Sequence, residues 1–391
     1  MSGPSYQPGP GSAKGRAPAL HPTLATPLDI RGVRCPTRIV MAPMVTGMAG
    51  DHTVGDAHLA WYGERAAAGI GLVIVESSAI APDAMLVERT LGAWEDSHIR
   101  GLARLAHEIG SHGVPALVQI VHGGARSWRA DPDAQRPGPS DVAVMPGYPP
   151  RPMSEAEIEA VIADFAAAAR RVIAAGFAGV EIHAAHYYLL SQFLSPRTNH
   201  RTDRWGGDLA GRARLALEVI RAVRRAIGAE ALLAVRMHAV ELVQGGLSTA
   251  DAVILAAMFQ FAGVDLIDAS GIGQSAWVRN DDGGYLQTTS APVRGAAPGT
   301  YLAATREVRH AVTIPVIGVG KLGEVGVAQR ALDDGSVDMV ALARQLIADP
   351  RAAAKLIAGR DADINRCEEC FACFSSIRRG PVRCAVHSDE S

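Results

Sequence analysis

Short runs of Val, Ile and Leu recur along the chain, each followed by a longer stretch whose apolar residues return at helical spacing. The runs lie at 38–42, 72–76, 116–120, 179–183, 232–236, 266–269, 316–319 and 339–341. They are mostly continuous rather than alternating, which suits strands covered on both faces, as parallel strands are. The intervening stretches predict helices. Ser154, with Glu157 three residues on, forms a capping box that opens an amphipathic segment running to Ala175. Segments 209–227, 250–262 and 301–312 have the same character. Eight strand–helix units joined by right-handed crossovers suffice to close an α/β (β/α)8 TIM barrel. An open doubly wound sheet would share the alternation, but no Gly-rich dinucleotide fingerprint follows the first strand. Residues 28–33 look like a small hairpin suited to plugging the bottom of the barrel. Long loops rich in Pro, Gly and Asp, at 123–152 and 271–298, both follow strands. That places them at the C-terminal face, where barrel active sites form.

Composition narrows the picture. The 391 residues are 48% hydrophobic and 20% charged, which describes a soluble protein with ample core. A formal net charge of -2 gives no electrostatic case for nucleic acid or for an anionic membrane surface. No apolar run approaches the roughly 20 residues of a membrane span. The opening stretch 1–22 is rich in Gly, Pro, Ser and Ala and has no apolar signal region. It reads as a disordered tail, and the protein is expected in the cytoplasm. Residues 23–360 are then the barrel and 361–391 a separate C-terminal segment. Cys35 stands alone, whereas Cys367, Cys370, Cys373 and Cys384 crowd the end. In a cytosolic chain such a cluster suggests metal before disulfides.

Polar residues collect at the ends of the strands. His183 and His186 sit three apart where the fourth strand ends, and a helical turn would bring both imidazoles to one face. Two such donors can hold a carbonyl, carboxylate or phenolate oxygen and stabilise charge developing on it. One core and one exposed histidine is the plainer alternative. A metal site is disfavoured, because no carboxylate or third His stands at ligand spacing.

Segment 177–214 (FAGVEIHAAHYYLLSQFLSPRTNHRTDRWGGDLAGRAR) closely resembles the Old Yellow Enzyme family. The likeness extends over nearly all of 23–384. It includes Ala42-Pro43-Met44, Gln119-Ile120-Val121-His122, Val235-Arg236, Pro315-Val316-Ile317-Gly318-Val319-Gly320 and Ala343-Arg344. The resemblance implies non-covalently bound FMN. Pro43, Met44 and Thr46 would line the flavin edge, with Glu76 at the second strand end among the cofactor positions. Gln119 would offer its amide to the pyrimidine ring. Arg236 would place a permanent positive charge where reduced flavin is negative. Gly318, Gly320, Lys321, Ala343 and Arg344, in the loops after strands seven and eight, would bind the phosphate. His183 and His186 would clamp the substrate oxygen, Tyr188 would donate the proton, and Trp277 would face the substrate. Four positions depart from the family pattern: Tyr187 and Ala343 stand where Gly is usual, Val45 where some members carry a flavin-tuning Cys, and Ser275 near where dienoyl reductases have a catalytic His.

The spacing Cys367-x-x-Cys370-x-x-Cys373, with Cys384 further on, suits a [4Fe-4S] cluster, three thiolates wrapping one face and a remote fourth completing it. Zinc would also accept four thiolates, though structural zinc sites usually come as separated pairs. Segment 366–384 resembles the cluster region of the 2,4-dienoyl-CoA reductase and trimethylamine dehydrogenase branch. Those relatives continue into further nucleotide-binding domains, whereas this sequence stops at Ser391, so a separate electron-transfer protein is the expected partner.

Three functions follow from these resemblances. The first is an ene-reductase acting on a small α,β-unsaturated carbonyl compound, with NADH or NADPH as a candidate donor. The second is an amine dehydrogenase or N-demethylase sending electrons out through the cluster, with Trp128, Tyr187 and Trp277 as candidates for an aromatic cage; positively disposed imidazoles would oppose it. The third is a non-catalytic flavin and iron–sulfur subunit. Whether the protein forms a homo-oligomer is left open.

Overall fold

The computed structural model describes residues 23–128, 134–144, 150–272, 278–279, 285–286, 291–292 and 294–387. The N-terminal stretch 1–22, Ser275 and Trp277 lie outside the described residues. Eight parallel strands close on themselves: β1 (Ile39–Met41), β2 (Leu72–Ala79), β3 (Ala116–Val121), β4 (Gly179–Ala184), β5 (Leu232–Glu241), β6 (Leu266–Ile272), β7 (Val316–Gly318) and β8 (Met339–Leu342). Closure is set by β8, whose Val340 pairs with Ile39 of β1, and by β1, whose Val40 pairs with Leu72 of β2. An open sheet has no such pairing. The crossovers are α1 (Asp56–Ala66), α2 (Ser97–Ser111), α3 (Glu155–Ala174), α4 (Leu209–Ile227), α5 (Thr249–Phe261), α6 (Leu302–Ala311) and α7 (Val325–Asp333), with α8 (Ala352–Ile357) after β8.

Local sequence explains the helix starts. Ser154 and Glu157 cap α3 reciprocally, the Ser154 N–H reaching Glu157 Oε2 at 2.8 Å. Ser248 and Asp251 do the same for α5. The expected hairpin is present, with Leu28–Ile30 antiparallel to Val33–Cys35 and Arg31 and Gly32 at positive φ in the turn. Its Ile30 and Cys35 pack against Leu72, Ile74, Leu117, Leu232 and Met339, filling the bottom of the barrel.

The strands alternate between two apolar layers, which is why their sequences read as unbroken runs. Val40, Ile74, Leu117 and Ala234 face the plug, while Ile39, Val73, Val118 and Val235 meet the helices. Towards the C-terminal ends the inward positions become polar. Two irregularities in register interrupt the alternation there, one in β2 between Val75 and Ser78 and one in β5 between His238 and Val240. Each inserts a residue and re-aims the side chains that follow.

Beyond α8 the chain folds back along the mouth. Val382 N–H donates to Thr46 O at 2.6 Å, and the backbone of Ile377 and Gly380 presses on Gly47. A Cβ at Gly47 would lie 2.6 Å from Gly380 O, and its φ is +67°, so glycine is required. Among the described residues no helix is long and apolar enough to cross a membrane.

Candidate active site at the barrel mouth

Directly above the apolar plug, inward side chains from β2 to β6 form a dry polar floor. Gln119 Nε2 donates to Glu181 Oε1 at 2.8 Å and Gln119 Oε1 accepts from Ser77 Oγ. Register sets Arg236 level with both His183 and Asp268, and its Nη1 lies 3.3 Å from Asp268 Oδ2. Burial, and then the Asp268 charge, push Glu181 up to about 8. With two carboxyls and one guanidinium enclosed together, Glu181 holds a proton at neutral pH and Asp268 balances Arg236. Several atoms here have no hydrogen-bond partner among the described residues: Arg236 Nε, Glu181 Oε2 and both Asp268 oxygens. An unmet buried polar atom costs about 1–3 kcal/mol. A ligand edge carrying both donors and acceptors, as the flavin pyrimidine does, fits this floor.

The β2 irregularity decides which residues belong to the floor. Alternation from Leu72 and Ile74 would turn Glu76 inward, and the sequence places it among cofactor positions. Instead the inserted residue brings Ser77 in and sends Glu76 out. Its carboxylate accepts from Thr46 N–H at 2.8 Å and Thr46 Oγ1 at 2.6 Å, with the Tyr62 hydroxyl at 3.4 Å and His58 Nε2 at 3.8 Å. Burial raises Glu76 to about 7 against those Thr46 bonds. Glu76 and the fully buried Thr46 therefore fix the loop after β1, with the half-buried Pro43 and Met44 on the same loop.

His183 and His186 are brought together at the end of β4. Ala185 N–H donates to His183 Nδ1 at 3.2 Å, so that imidazole carries its proton on Nε2. His183 Nε2 lies 3.3 Å from His186 Nδ1, and His186 Nε2 lies 2.9 Å from Ser270 Oγ. The donors run in one direction, from backbone amide to His183, to His186, to Ser270. Burial, followed by the Arg236 charge, holds both imidazoles well below their ordinary value, so they are neutral. The expected positive disposition of the pair is thereby corrected. Tyr188 is half-buried, its ring 4.9 Å from that of His183 and edge-on to it, with Arg126 Cζ 5.4 Å above it.

Tyr187 does not face the entrance. It is fully buried with Ile272, and its hydroxyl donates to Glu241 Oε2 at 3.0 Å, which removes it from any aromatic cage. Trp128 is partly buried against the core. Glu241 also accepts from Ser195 Oγ at 2.8 Å and Leu247 N–H at 2.9 Å, and its Oε1 lies 3.1 Å from His238 Nδ1. Although burial raises it, these bonds hold Glu241 below its ordinary value.

The loops after β7 and β8 form a second cluster. Gly320 and Lys321 have φ of +117° and +60°. Lys321 Nζ lies 2.7 Å from Glu369 Oε1 and donates to Ala296 O. Arg344 donates to Pro292 O at 3.2 Å and stacks over Phe371 at 4.7 Å, while its buried Nη1 has no partner among the described residues. An orphaned guanidinium nitrogen beside glycine backbone fits a phosphate. Phe371, Cys367, Cys370, Cys373 and Cys384 share one small cavity with Arg344. Burial raises Cys367 and Cys373, and among the described residues no three His, Cys, Asp or Glu side chains are arranged to hold a single metal ion.

Ser77, Glu181, His238, Glu241, Asp268 and Ser270 were not singled out in the sequence. Period-two spacing from Gln119, His183 and Arg236 along the same strands would have found Glu181 and His238; the others depend on the irregularities or on a neighbouring strand.

Comparison with known proteins extends this geometry. The family model described as NADH:flavin oxidoreductase / NADH oxidase matches residues 23–363. The chain is 35% identical over 361 residues to the NADH oxidase of Thermoanaerobacter brockii, covering 90% of this chain and 53% of that protein. It is 33% identical over 323 residues to the NADPH dehydrogenase of Halalkalibacterium halodurans, covering 82% and 90%. The structure of a 2-naphthoyl-CoA reductase in complex with 2-naphthoyl-CoA aligns with a TM-score of 0.84 at 26% identity, covering 94% of this chain and 57% of that one. The chain spans about half the length of the first curated relatives it matches.

Proposed function

Because the chain belongs to the NADH:flavin oxidoreductase / NADH oxidase family, we propose that it is an FMN-dependent enzyme that reduces the activated C=C bond of an α,β-unsaturated carbonyl compound. NADH, NADPH or a separate electron-transfer protein supplies the electrons. The directed donor chain through His183 and His186 carries this reading. A substrate oxygen accepting from the His186 Nε2–H in place of Ser270 meets an N–H polarised by the donors behind it. Enolate charge forming on that oxygen is stabilised by neutral groups, with no imidazolium to release.

FMN, when bound, supplies hydride to the β-carbon. Arg236 and Gln119 hold its pyrimidine edge, Arg344 and the Gly318–Gly320 backbone hold its phosphate, and Tyr188 delivers a proton to the α-carbon. The dry floor keeps water from that exchange. Cys367, Cys370, Cys373 and Cys384 are proposed to hold a [4Fe-4S] cluster, which would pass single electrons. The cavity that the four cysteines share, and their spacing, support this reading.

Protein purified without oxygen should be yellow-brown, and its photoreduced flavin should be reoxidised by 2-cyclohexenone in stopped-flow. Bleaching by methylated amines but no reoxidation by enones would move the assignment to amine oxidation. A colourless holoprotein would end it.

A further inference from the structure

Two adjacent non-glycine residues, His186 and Tyr187, have φ of +60° and +53°, left-handed backbone that L side chains rarely adopt. They sit in the turn that aims the imidazole of His186. Something must hold that turn. Arg126 Nη1 donates to His186 O at 2.7 Å and Gln192 Nε2 to Tyr187 O at 2.5 Å, which secures its carbonyls. The buried His186 N–H has one acceptor, His238 Nε2, at 2.7 Å. Since His238 accepts at Nε2, its proton is on Nδ1 and is donated to Glu241 Oε1 at 3.1 Å. The other Glu241 oxygen takes the Tyr187 hydroxyl, so one carboxylate braces both residues of the turn. The irregularity between His238 and Val240 makes this reachable, turning Glu241 to the same side as His238 although they are three apart in a strand.

We propose that His238, braced by Glu241, is a positioning residue that fixes the His186–Tyr187 turn and so aims the His183–His186 pair at the substrate oxygen. The inference rests on the clamp reading above. It adds that the clamp's geometry is stored in β5 and not in the turn's own sequence. His238 touches no reacting atom; it acts through the backbone of His186.

The test uses FMN-loaded protein and three variants. His238→Leu keeps bulk but removes the acceptor, leaving a buried N–H unmet. His238→Gln restores an acceptor near the position of Nε2. Tyr187→Gly makes one of the two left-handed positions free of strain. Para-hydroxybenzaldehyde serves as phenolate probe, its long-wavelength band with the flavin being titrated. His238→Leu should weaken the probe by about tenfold, the loss expected for one unmet buried donor. His238→Gln should stay within about threefold of the parent and melt near it, whereas His238→Leu should melt lower by the cost of the unmet N–H while FMN content stays equal in both variants. The Leu penalty should shrink in the Tyr187→Gly background. Equal probe affinity in His238→Leu and the parent would overturn the proposal, as would a Gln variant as weak as the Leu variant. Amide exchange of residues 185–188 gives a reading independent of any ligand, and it should accelerate in His238→Leu but not in His238→Gln. If the parent shows no band, the clamp reading fails, and this exchange result alone decides the role of His238.

Discussion

The wall built by β3 to β6 and the corner built by the β7 and β8 loops both gather charge at the barrel mouth, but they hold it differently. In the wall, Gln119, Glu181, His183, Arg236 and Asp268 are all buried and placed by strand register, each level with a neighbour. In the corner, Lys321 sits on the loop after β7 and Arg344 opens a short helix (Arg344–Ala348) after β8, and they meet side chains from distant sequence, Glu369 and Phe371. The wall is preorganised by the same hydrogen bonds that close the barrel, so its members cannot be moved singly. The corner is closed by a segment that arrives last in the chain, and its contacts are partly open to water. Perturbing the wall should therefore be expensive and all-or-none, and perturbing the corner graded.

The largest effect is expected from Arg236→Leu. It removes the charge that balances Asp268 and strands that carboxylate in a dry interior, a loss of about 3–5 kcal/mol for a broken buried pair. FMN affinity should fall more than about a hundredfold, because the orphaned Arg236 Nε goes with it. Flavin content after gel filtration and thermal unfolding measure both. A variant that stays fully yellow and melts normally would show that the wall is not the flavin's seat.

Cys370→Ser tests the corner at its cysteine end. Iron content should drop to near zero while the barrel melts within a few degrees of the parent, because Cys370 is exposed and packs against no core. A collapse of the barrel would mean that the fold-back segment is structurally indispensable and the contrast between the regions overstated. Arg344→Met comes next. Losing one charge-assisted phosphate contact should weaken FMN by about ten- to thirtyfold with little change in melting, read by flavin fluorescence.

The legibility of the two regions in sequence differs for the same reasons. All eight strands were visible because burial on both faces writes itself as unbroken apolar runs. Their ends were not: β2 reaches Ala79 and β5 reaches Glu241, beyond the apolar stretches at 72–76 and 232–236, because the mouth is where inward positions become polar. Gln119 and Arg236 were identified by resemblance and the His pair by its spacing at a strand end, and the barrel does bring them to one mouth. Glu76, named among the cofactor positions, turns instead to Thr46, because an inserted residue interrupts the alternation of β2. Glu241 lies beyond the inserted residue of β5 and was passed over for the same cause, whereas His238 follows Arg236 in regular alternation and was legible. Tyr187 was read as a departure from Gly and a candidate for an aromatic cage, and only its bond to Glu241 shows it to be a brace. In the corner, spacing grouped the four cysteines, but nothing local told that Glu369 and Phe371 would land on Lys321 and Arg344.

Glu369→Gln is the smallest and most discriminating change. Glu369 Oε1 lies 2.7 Å from Lys321 Nζ, and its other oxygen accepts from Gly295 N–H at 3.2 Å. A phosphate monoester brings a charge of about -1.5 to -2, so it must compete with Glu369 for Lys321 and is repelled by the carboxylate while doing so. Gln keeps an acceptor for Gly295 and removes the competing charge. Both side chains of the pair are nearly one-fifth exposed, 18% and 16%, so screening limits the gain to that of a weak pair. FMN should then bind about threefold more tightly at low salt, and the difference should fade as ionic strength rises towards 0.5 M, roughly where the screening length falls below the size of the site. Titration of apoprotein with FMN at two salt concentrations decides it. Weaker binding in the variant, independent of salt, would mean that Glu369 serves to hold the cysteine segment in register over the phosphate loops. The corner would then be preorganised like the wall, with a contact from the far end of the chain doing what strand register does in the barrel.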